Sequence, residues 1–102
     1  MIKIKNFLSP KSGEAVTNQF IIEEDGRGAN GNFIKRDTFQ SYSSIIAIRT
    51  VWEDRTDVVL DTTYWNYSKT TSKYRNEFLC EETKTTKEKI EKGIYTLDDL
   101  NK

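Results

Sequence analysis

The sequence predicts an α+β fold: an antiparallel sheet of about four strands, with C-terminal helices packed on one face. Two observations predict this class. Apolar side chains recur at every second position in the first half of the chain, and at helical spacing from Ser68 onward. Strands that precede helices in this way are typical of a sheet covered on one side. At 102 residues the chain has the length of one domain, so residues 1–102 are expected to form a single globular unit.

The first strands are predicted from alternating residues near the N-terminus. Ile2 and Ile4 alternate with lysines, which is typical of an edge strand whose charges discourage pairing with another chain. Residues 18–24 alternate in the same way, and residues 33–39 supply their hairpin partner. The glycine-rich run at residues 25–31 therefore forms a long loop between these two strands.

The centre of the sheet is predicted at residues 45–52. This segment is apolar on both faces, which is the pattern of a strand covered on both sides. Residues 57–61 contain Val58, Val59 and Leu60 in succession and supply one more strand, paired with the central strand as a hairpin.

A first helix is predicted from Ser68, because apolar side chains fall on one arc at about 100° per residue. The arc consists of Thr71, Tyr74, Arg75, Phe78 and Leu79. Lys69, Lys73 and Glu77 point away from it, so this helix is expected to lie on the sheet with its charged side in water.

A second, mostly solvated helix is predicted at residues 83–92. Thr85 and Glu88 have the spacing of a capping box, and Gly93 suits a left-handed helix stop. The apolar residues within 94–100 are then expected to anchor the C-terminus on the sheet, with Thr96 and Asp99 capping a last turn.

Composition excludes several classes of function. The chain has 16 basic and 16 acidic residues, which gives neither the basic surface of a general DNA-binding protein nor the acidic surface of a DNA mimic. It contains no histidine and one cysteine, Cys80, so Ser-His-Asp chemistry, disulfides and multi-cysteine zinc sites are excluded within one chain. We therefore expect no enzymatic activity, no cofactor and no bound metal.

The lengths of the apolar segments indicate the compartment of the protein. No segment reaches the roughly 18 apolar residues that a membrane span needs, and the N-terminus lacks the apolar run of a secretion signal. We expect a cytoplasmic protein without a membrane partner.

The most distinctive segment is residues 64–75, where aromatic residues alternate with hydroxyl and basic groups. Its candidate partner-binding residues are Tyr64, Trp65, Tyr67, Lys69, Lys73, Tyr74 and Arg75. Aromatic rings can stack on nucleic-acid bases while cations hold phosphates. The alternative is structural, since aromatic side chains contribute the largest buried area to a small core.

Arg75 also has two interpretations, because it lies within the apolar arc of its helix. Its stem can pack in the core while the guanidinium pairs with a sheet carboxylate such as Asp57 or Asp61. Alternatively it anchors an interface, where arginine and aromatic residues dominate the binding energy.

The remaining motifs carry weaker functional hypotheses. The glycines of the loop Gly26–Gly31 lack the spacing of a nucleotide-binding fingerprint, so the loop is interpreted as a hairpin tip or a partner-binding finger. The clustered carboxylates lie in predicted turns, where water solvates them. Cys80 has no histidine to activate it as a nucleophile.

Three stretches resemble a known family: residues 39–47 (FQSYSSIIA), 64–79 (YWNYSKTTSKYRNEFL) and 93–101 (GIYTLDDLN). They are similar to small proteins of unknown function encoded by phages and mobile elements of Gram-positive bacteria, over roughly residues 18–101. The resemblance implies no catalytic residues. It implies instead an accessory protein that binds and blocks a host factor, with inhibitors of CRISPR–Cas and other defence systems as one prominent class.

Together these observations predict a non-enzymatic binding protein. The first hypothesis is an anti-CRISPR or similar host defence inhibitor that occludes a Cas nuclease or another defence protein in the host bacterial cytosol. The alternative is a single-stranded nucleic-acid-binding accessory protein of phage DNA metabolism. Either state, monomer or homodimer, is compatible with the sequence, because the edge at residues 2–6 permits pairing without requiring it.

Overall fold

A computed structural model of the chain describes residues 2–9, 11–26 and 33–102. The six strands are β1 (Ile2–Leu8), β2 (Ala15–Asp25), β3 (Lys35–Ser41), β4 (Ser44–Val51), β5 (Thr56–Asp61) and β6 (Thr96–Asp98), and the two helices are α1 (Lys69–Leu79) and α2 (Thr83–Glu91). Most of the glycine loop, residues 27–31, lies outside the described residues.

All the strands belong to one sheet in the order β1-β2-β3-β4-β5-β6. Neighbouring strands from β1 to β5 are antiparallel, whereas β6 pairs in parallel with β5. The α+β class with C-terminal helices is confirmed. The prediction of about four antiparallel strands is wrong, because the described part of the chain contains six strands and one parallel pair.

The sixth strand is the feature that the sequence did not predict. The sequence predicts a last turn capped by Thr96 and Asp99. Thr96 instead begins a strand in which residues 96–98 pair with residues 59–61 of β5, whereas the Asp99 side chain accepts from the Asn101 amide at 3.1 Å in the turn that follows. Three residues are too few to show an alternating pattern, and their backbone groups are satisfied only once the two helices return the chain to the free edge of β5. Tyr95 just before β6 is buried, whereas Ile94 and Leu97 are exposed.

Both helices follow β5, and α1 packs on one face of the sheet. The rings of Phe39 in β3 and Phe78 in α1 lie 5.8 Å apart, and Phe7 of β1 meets Phe39 edge-on at 5.2 Å. The hydroxyls of Ser41 and Thr71 are hydrogen-bonded at 3.2 Å. The core consists of Phe7, Phe39, Ile46, Ala47, Val58, Leu60, Phe78 and Tyr95.

A β-bulge shapes the end of the central hairpin. The pairing of β3 with β4 shifts register between Phe39 and Gln40, so that Phe39 pairs with Ala47 and Gln40 with Ile45. The extra residue is Ile46, and it is buried together with Ala47. The bulge thus allows two successive side chains of β4 to enter the core.

The first helix is capped at both ends. Ser68 is its N-cap, and the Ser68 hydroxyl accepts a hydrogen bond from the Thr71 amide at 3.1 Å. Cys80 ends the helix in the left-handed conformation, with φ of +56°. The predicted start at Ser68 is therefore confirmed.

The second helix begins without the predicted capping box. Its N-cap is Glu82, which makes no side-chain cap bond, and Thr85 lies inside the first turn. The helix start is held by Glu81 instead. This carboxylate accepts hydrogen bonds from Thr86 at 2.6 Å, from Lys89 at 2.8 Å and from the Tyr95 hydroxyl at 2.8 Å.

Glu81 is thereby kept ionised although it is largely buried. Burial alone would raise the pKa of its carboxyl, but the hydrogen bonds from Lys89, Thr86 and Tyr95 hold the pKa below the ordinary value of 4.5. The same carboxylate raises the pKa of Lys89 through their hydrogen bond. One charged group therefore joins the α1–α2 junction, α2 and the segment that leads into β6.

Gly93 ends α2 as predicted, with φ of +75°. The Gly93 amide donates to the Ile90 carbonyl at 3.1 Å and the Ile94 amide to the Lys89 carbonyl at 2.9 Å, which is the Schellman pattern.

Replacing Gly93 should test this stop cleanly, because a Cβ there would meet nothing within 4 Å. We expect Gly93→Ala to lower the free energy of unfolding by about 1 kcal/mol through backbone strain alone, and Gly93→Asn to lower it less. Urea denaturation of the two variants measures the difference. Equal losses for Ala and Asn would contradict the left-handed strain as the cause.

Candidate partner-binding site

A pocket of about 340 Å³ opens beside the N-terminal end of α1, where the turn between β3 and β4 meets the segment that precedes the helix. It is lined by Ser41, Tyr42, Ser43, Ser44, Ile46, Tyr64, Tyr67, Ser68 and Thr71. Eight of these nine side chains carry a hydroxyl and none is charged. Such a lining can orient a neutral polar or aromatic group by hydrogen bonds and ring contacts.

The turn between β3 and β4 holds Tyr42 in an uncommon conformation. Its φ is +55°, in the left-handed region that residues other than glycine rarely adopt. The Tyr42 amide donates to the Asn18 carbonyl at 2.7 Å, and the Gln40 side chain donates to the Tyr42 carbonyl at 2.8 Å. These bonds fix the turn, so the Tyr42 ring stays 58% exposed at the rim of the pocket.

The opposite rim is formed by Tyr64 and Tyr67. Their rings meet at 5.4 Å in an edge-to-face arrangement, which leaves Tyr67 70% exposed. The two rims come from distant parts of the chain, and the Ser41–Thr71 hydroxyl pair joins them at the base of the pocket.

Asp61 organises the turn that carries Tyr64. It lies at the end of β5 and is buried. One oxygen accepts from the amides of Thr63 at 3.0 Å and Tyr64 at 2.7 Å, and the other accepts from the Leu100 amide at 2.8 Å. The same carboxylate therefore fixes the pocket rim and the C-terminal segment.

Asp61 also remains ionised at neutral pH. Burial alone would raise the pKa of the Asp61 carboxyl, but the amides of Leu100, Tyr64 and Thr63 hold the pKa below its ordinary value of 3.8. A charged acceptor is what these amides need, because they have lost water on folding.

Arg75 is completely buried, with 0% of its surface exposed. One guanidinium nitrogen donates to the Trp65 carbonyl at 2.6 Å and to the Asn66 side chain at 3.0 Å. The other donates to the Asn76 side chain at 2.9 Å and to the Thr83 hydroxyl at 2.8 Å. Burial lowers the pKa of Arg75 and the charge of Glu81 partly restores it.

The expected pairing of Arg75 with Asp57 or Asp61 is therefore wrong. Asp61 is saturated by backbone amides, and Asp57 accepts from the Trp52 indole at 2.9 Å and from Arg55 at 3.3 Å. The acceptors that Arg75 uses are neutral oxygens, which sequence patterns do not mark as partners of a cation.

The seven candidate residues of segment 64–75 thus lie in three different environments. Tyr64 and Tyr67 line the pocket. Arg75 is buried, and Trp65 and Tyr74 are partly buried against the core: the guanidinium lies 5.1 Å from the Trp65 ring centre, and Tyr74 packs against Phe7 at 5.6 Å. Lys69 and Lys73 are exposed on α1. Arg75 joins the segment between Tyr64 and Tyr67 to Thr83 at the start of α2, and it offers no surface to a partner.

The sequence reasoning missed the second half of the site, residues 42–44. The signal was present, since residues 41–44 place four hydroxyl side chains in a row where two strands meet. A tight turn of this composition exposes its side chains, but only the fold shows that they face α1.

Other site classes receive no support from the described parts of the chain. Among residues 2–9, 11–26 and 33–102, no three His, Cys, Asp or Glu side chains converge as metal ligands would. In the same residues, neither helix has the length and apolar content to cross a membrane.

The fold and pocket define a small α+β domain with an uncharged, tyrosine-rimmed pocket and a buried arginine that joins the segment before α1 to α2. Residues 2–95 match a family of unknown function, DUF8033, so the chain belongs to that family. No curated protein and no solved structure matches it.

The buried arginine should dominate the stability of the site. We expect Arg75→Ala to lower the free energy of unfolding by about 3 kcal/mol or more, because it opens a cavity and leaves buried acceptors unpaired. Arg75→Lys should cost about 2 kcal/mol, since an ammonium cannot reach both pairs of acceptors. Urea denaturation measures both, and Lys73→Ala on the exposed side of α1 is the control. If Arg75→Ala lowers the free energy of unfolding no more than the control does, the stabilising role of Arg75 is contradicted.

Asp61→Asn should be destabilising in a pH-dependent way. At pH 7 we expect a loss of about 2 kcal/mol, because an amide nitrogen replaces an oxygen that accepts from backbone N–H groups. The folded pKa is lower than 3.8, so the stabilisation by the carboxylate is complete above that pH and is lost as the pH falls below it. The difference in the free energy of unfolding between wild type and variant should therefore become smaller in acid.

Denaturant midpoints from pH 7 down to pH 2 test this expectation, with the exposed Asp54→Asn as control. A difference that stays constant in acid would contradict ionisation of Asp61 as its source.

Proposed function

We propose that this protein is a non-enzymatic binding protein of phage or mobile-element origin that inhibits a host defence system by occluding a partner protein, such as a Cas nuclease, in the bacterial cytoplasm. The observation that carries the proposal is the pocket of about 340 Å³ with exposed Tyr42 and Tyr67 on its two rims. The resemblance of residues 39–47 and 64–79 to small phage-encoded proteins supplies the biological context.

The chemistry of the pocket favours recognition of a protein. Protein interfaces are enriched in tyrosine and depleted of charge at their centre, where a few anchors contribute most of the energy. Tyr42 and Tyr67 provide apolar area with few rotatable bonds, and the hydroxyls of Ser43 and Ser44 provide adaptable hydrogen bonds. We expect a neutral or aromatic side chain of the partner to enter this pocket.

The same lining argues against catalysis. The hydroxyls of Ser41, Ser68 and Thr71 are engaged with one another, and none of the lining residues is an imidazole, carboxylate or amine that could accept a proton. A serine or threonine without a base is a weak nucleophile. The pocket is suited to binding.

Single-stranded nucleic acid is the second candidate. Lys69 and Lys73 are exposed on α1, in the same segment as the exposed ring of Tyr67. This is the combination of cation and stacking surface that such binding uses. Two lysines on a chain of net charge zero give a weak electrostatic attraction, which makes it the less favoured candidate.

The test combines an activity with matched variants. In Gram-positive cells that carry an active CRISPR–Cas system, expression of the protein should raise the plating of a targeted phage. Tyr67→Ala and Tyr42→Asn should each abolish or reduce this effect, since loss of an interface anchor weakens binding by about 2 kcal/mol, or about thirtyfold. Asparagine tolerates the left-handed conformation at residue 42, so the turn is preserved.

The control is Leu8→Ala, which removes an exposed apolar side chain at the end of β1, outside the pocket lining. The purified wild-type protein and the Leu8→Ala variant should capture the Cas proteins, whereas Tyr67→Ala and Tyr42→Asn should capture less of them. Recovery of oligonucleotides alone, with an affinity that depends on Lys69 and Lys73 and falls with salt, would favour the second candidate instead.

A further inference from the structure

The face of the sheet opposite α1 carries an apolar row of four aliphatic side chains with one threonine at its centre. Asp37, Phe39, Ser41 and Arg49 contact α1 or one another on the helix side, so alternation places Thr38 and Ile48 on the other face. The strand register then aligns five residues side by side across β1–β5, namely Ile4, Ile22, Thr38, Ile48 and Val59. We call this surface the open face.

One end of the open face carries aromatic and arginine side chains. Trp52 and Phe33 meet edge-on at 6.4 Å. Arg36 lies 4.1 Å from the centre of the Phe33 ring, and Arg55 lies 4.8 Å from that of Trp52. Tryptophan and arginine are enriched among residues that anchor interfaces. The open face therefore combines an apolar centre with anchors at its margin.

The charges on this face are already paired within the chain. Arg36 lies 3.8 Å from Glu24, and Asp57 accepts from Arg55 at 3.3 Å. The protein as a whole has a net charge of zero. A partner thus needs no complementary charge, and two identical copies do not repel one another.

We propose that the open face binds a second copy of this chain, with the two sheets packed face to face. The five strands β1–β5 at about 4.8 Å spacing and four residue rows at about 6.6 Å give roughly 600 Å² on each copy and about 1,200 Å² in total. This reaches the lower end of stable interfaces. The dimer leaves the tyrosine-rimmed pocket on the opposite side of each sheet free.

Pairing through the β1 edge is the weaker arrangement for a dimer. An antiparallel β1–β1 pair centred on Ile4 would place Lys3 of one copy directly opposite Lys5 of the other, on both sides of the axis. The lysines thus discourage edge pairing, as they do in other exposed edge strands. The apolar row carries no such barrier.

Sedimentation equilibrium of the full-length protein, from about 1 μM to several hundred μM, tests the proposal. We expect a concentration-dependent dimer. Ile4→Lys and Thr38→Lys should each weaken it at least tenfold, because they bring a charge into the apolar row. Ile94→Lys introduces the same charge at a 59% exposed isoleucine beyond α2 and should leave the dimer unchanged. Circular dichroism verifies that each variant is folded, and Ile4 is 69% exposed, so lysine there is tolerated by the monomer.

A wild-type protein that stays monomeric throughout would overturn the proposal. A dimer weakened by Ile4→Lys but not by Thr38→Lys would overturn it too, because that result indicates edge pairing. Equal weakening by Ile94→Lys would indicate a different surface and have the same consequence. None of these outcomes bears on the pocket variants, whose failure concerns only the proposed inhibition.

Discussion

The buried guanidinium of Arg75 is the interaction on which the helical half of this molecule depends. It joins the segment before α1, through Trp65 and Asn66, to the start of α2, through Thr83. A buried cation is costly unless nearly all of its donors are satisfied. The chain supplies neutral oxygens from the segment before α1, from Asn76 in α1 and from Thr83 in α2, so these elements are held relative to one another.

The second constraint is the small amount of apolar material in the chain. Only 35% of residues are hydrophobic and 31% are charged, so the core can fill one side of a six-stranded sheet. Phe39 and Phe78 lie at its centre, while polar contacts such as Ser41–Thr71 and the Glu81 cluster complete it. The other side of the sheet is left without a helix layer.

Two carboxylates, those of Asp61 and Glu81, have structural roles in this fold. Asp61 and Glu81 are both largely buried, and both stay ionised because several donors face them. Each joins two segments that are distant in sequence: Asp61 ties the Tyr64 turn to Leu100, and Glu81 ties α2 to Tyr95. The oxygens of both carboxylates are occupied by hydrogen bonds from other parts of the chain.

The sequence by itself determined the α+β class, strand segments that fall within β1–β5, the start of α1 at Ser68 and the stop at Gly93, although it predicted a sheet of only about four strands. These features follow from local rules, because alternation, helical periodicity, N-capping and left-handed stops each act within a few residues. The tertiary structure alone decided the sixth strand, the partners of Arg75 and the meeting of residues 41–44 with α1. Each of these depends on contacts between distant segments, and the neutral oxygens around Arg75 show why: nothing in their local sequence distinguishes them from solvated groups.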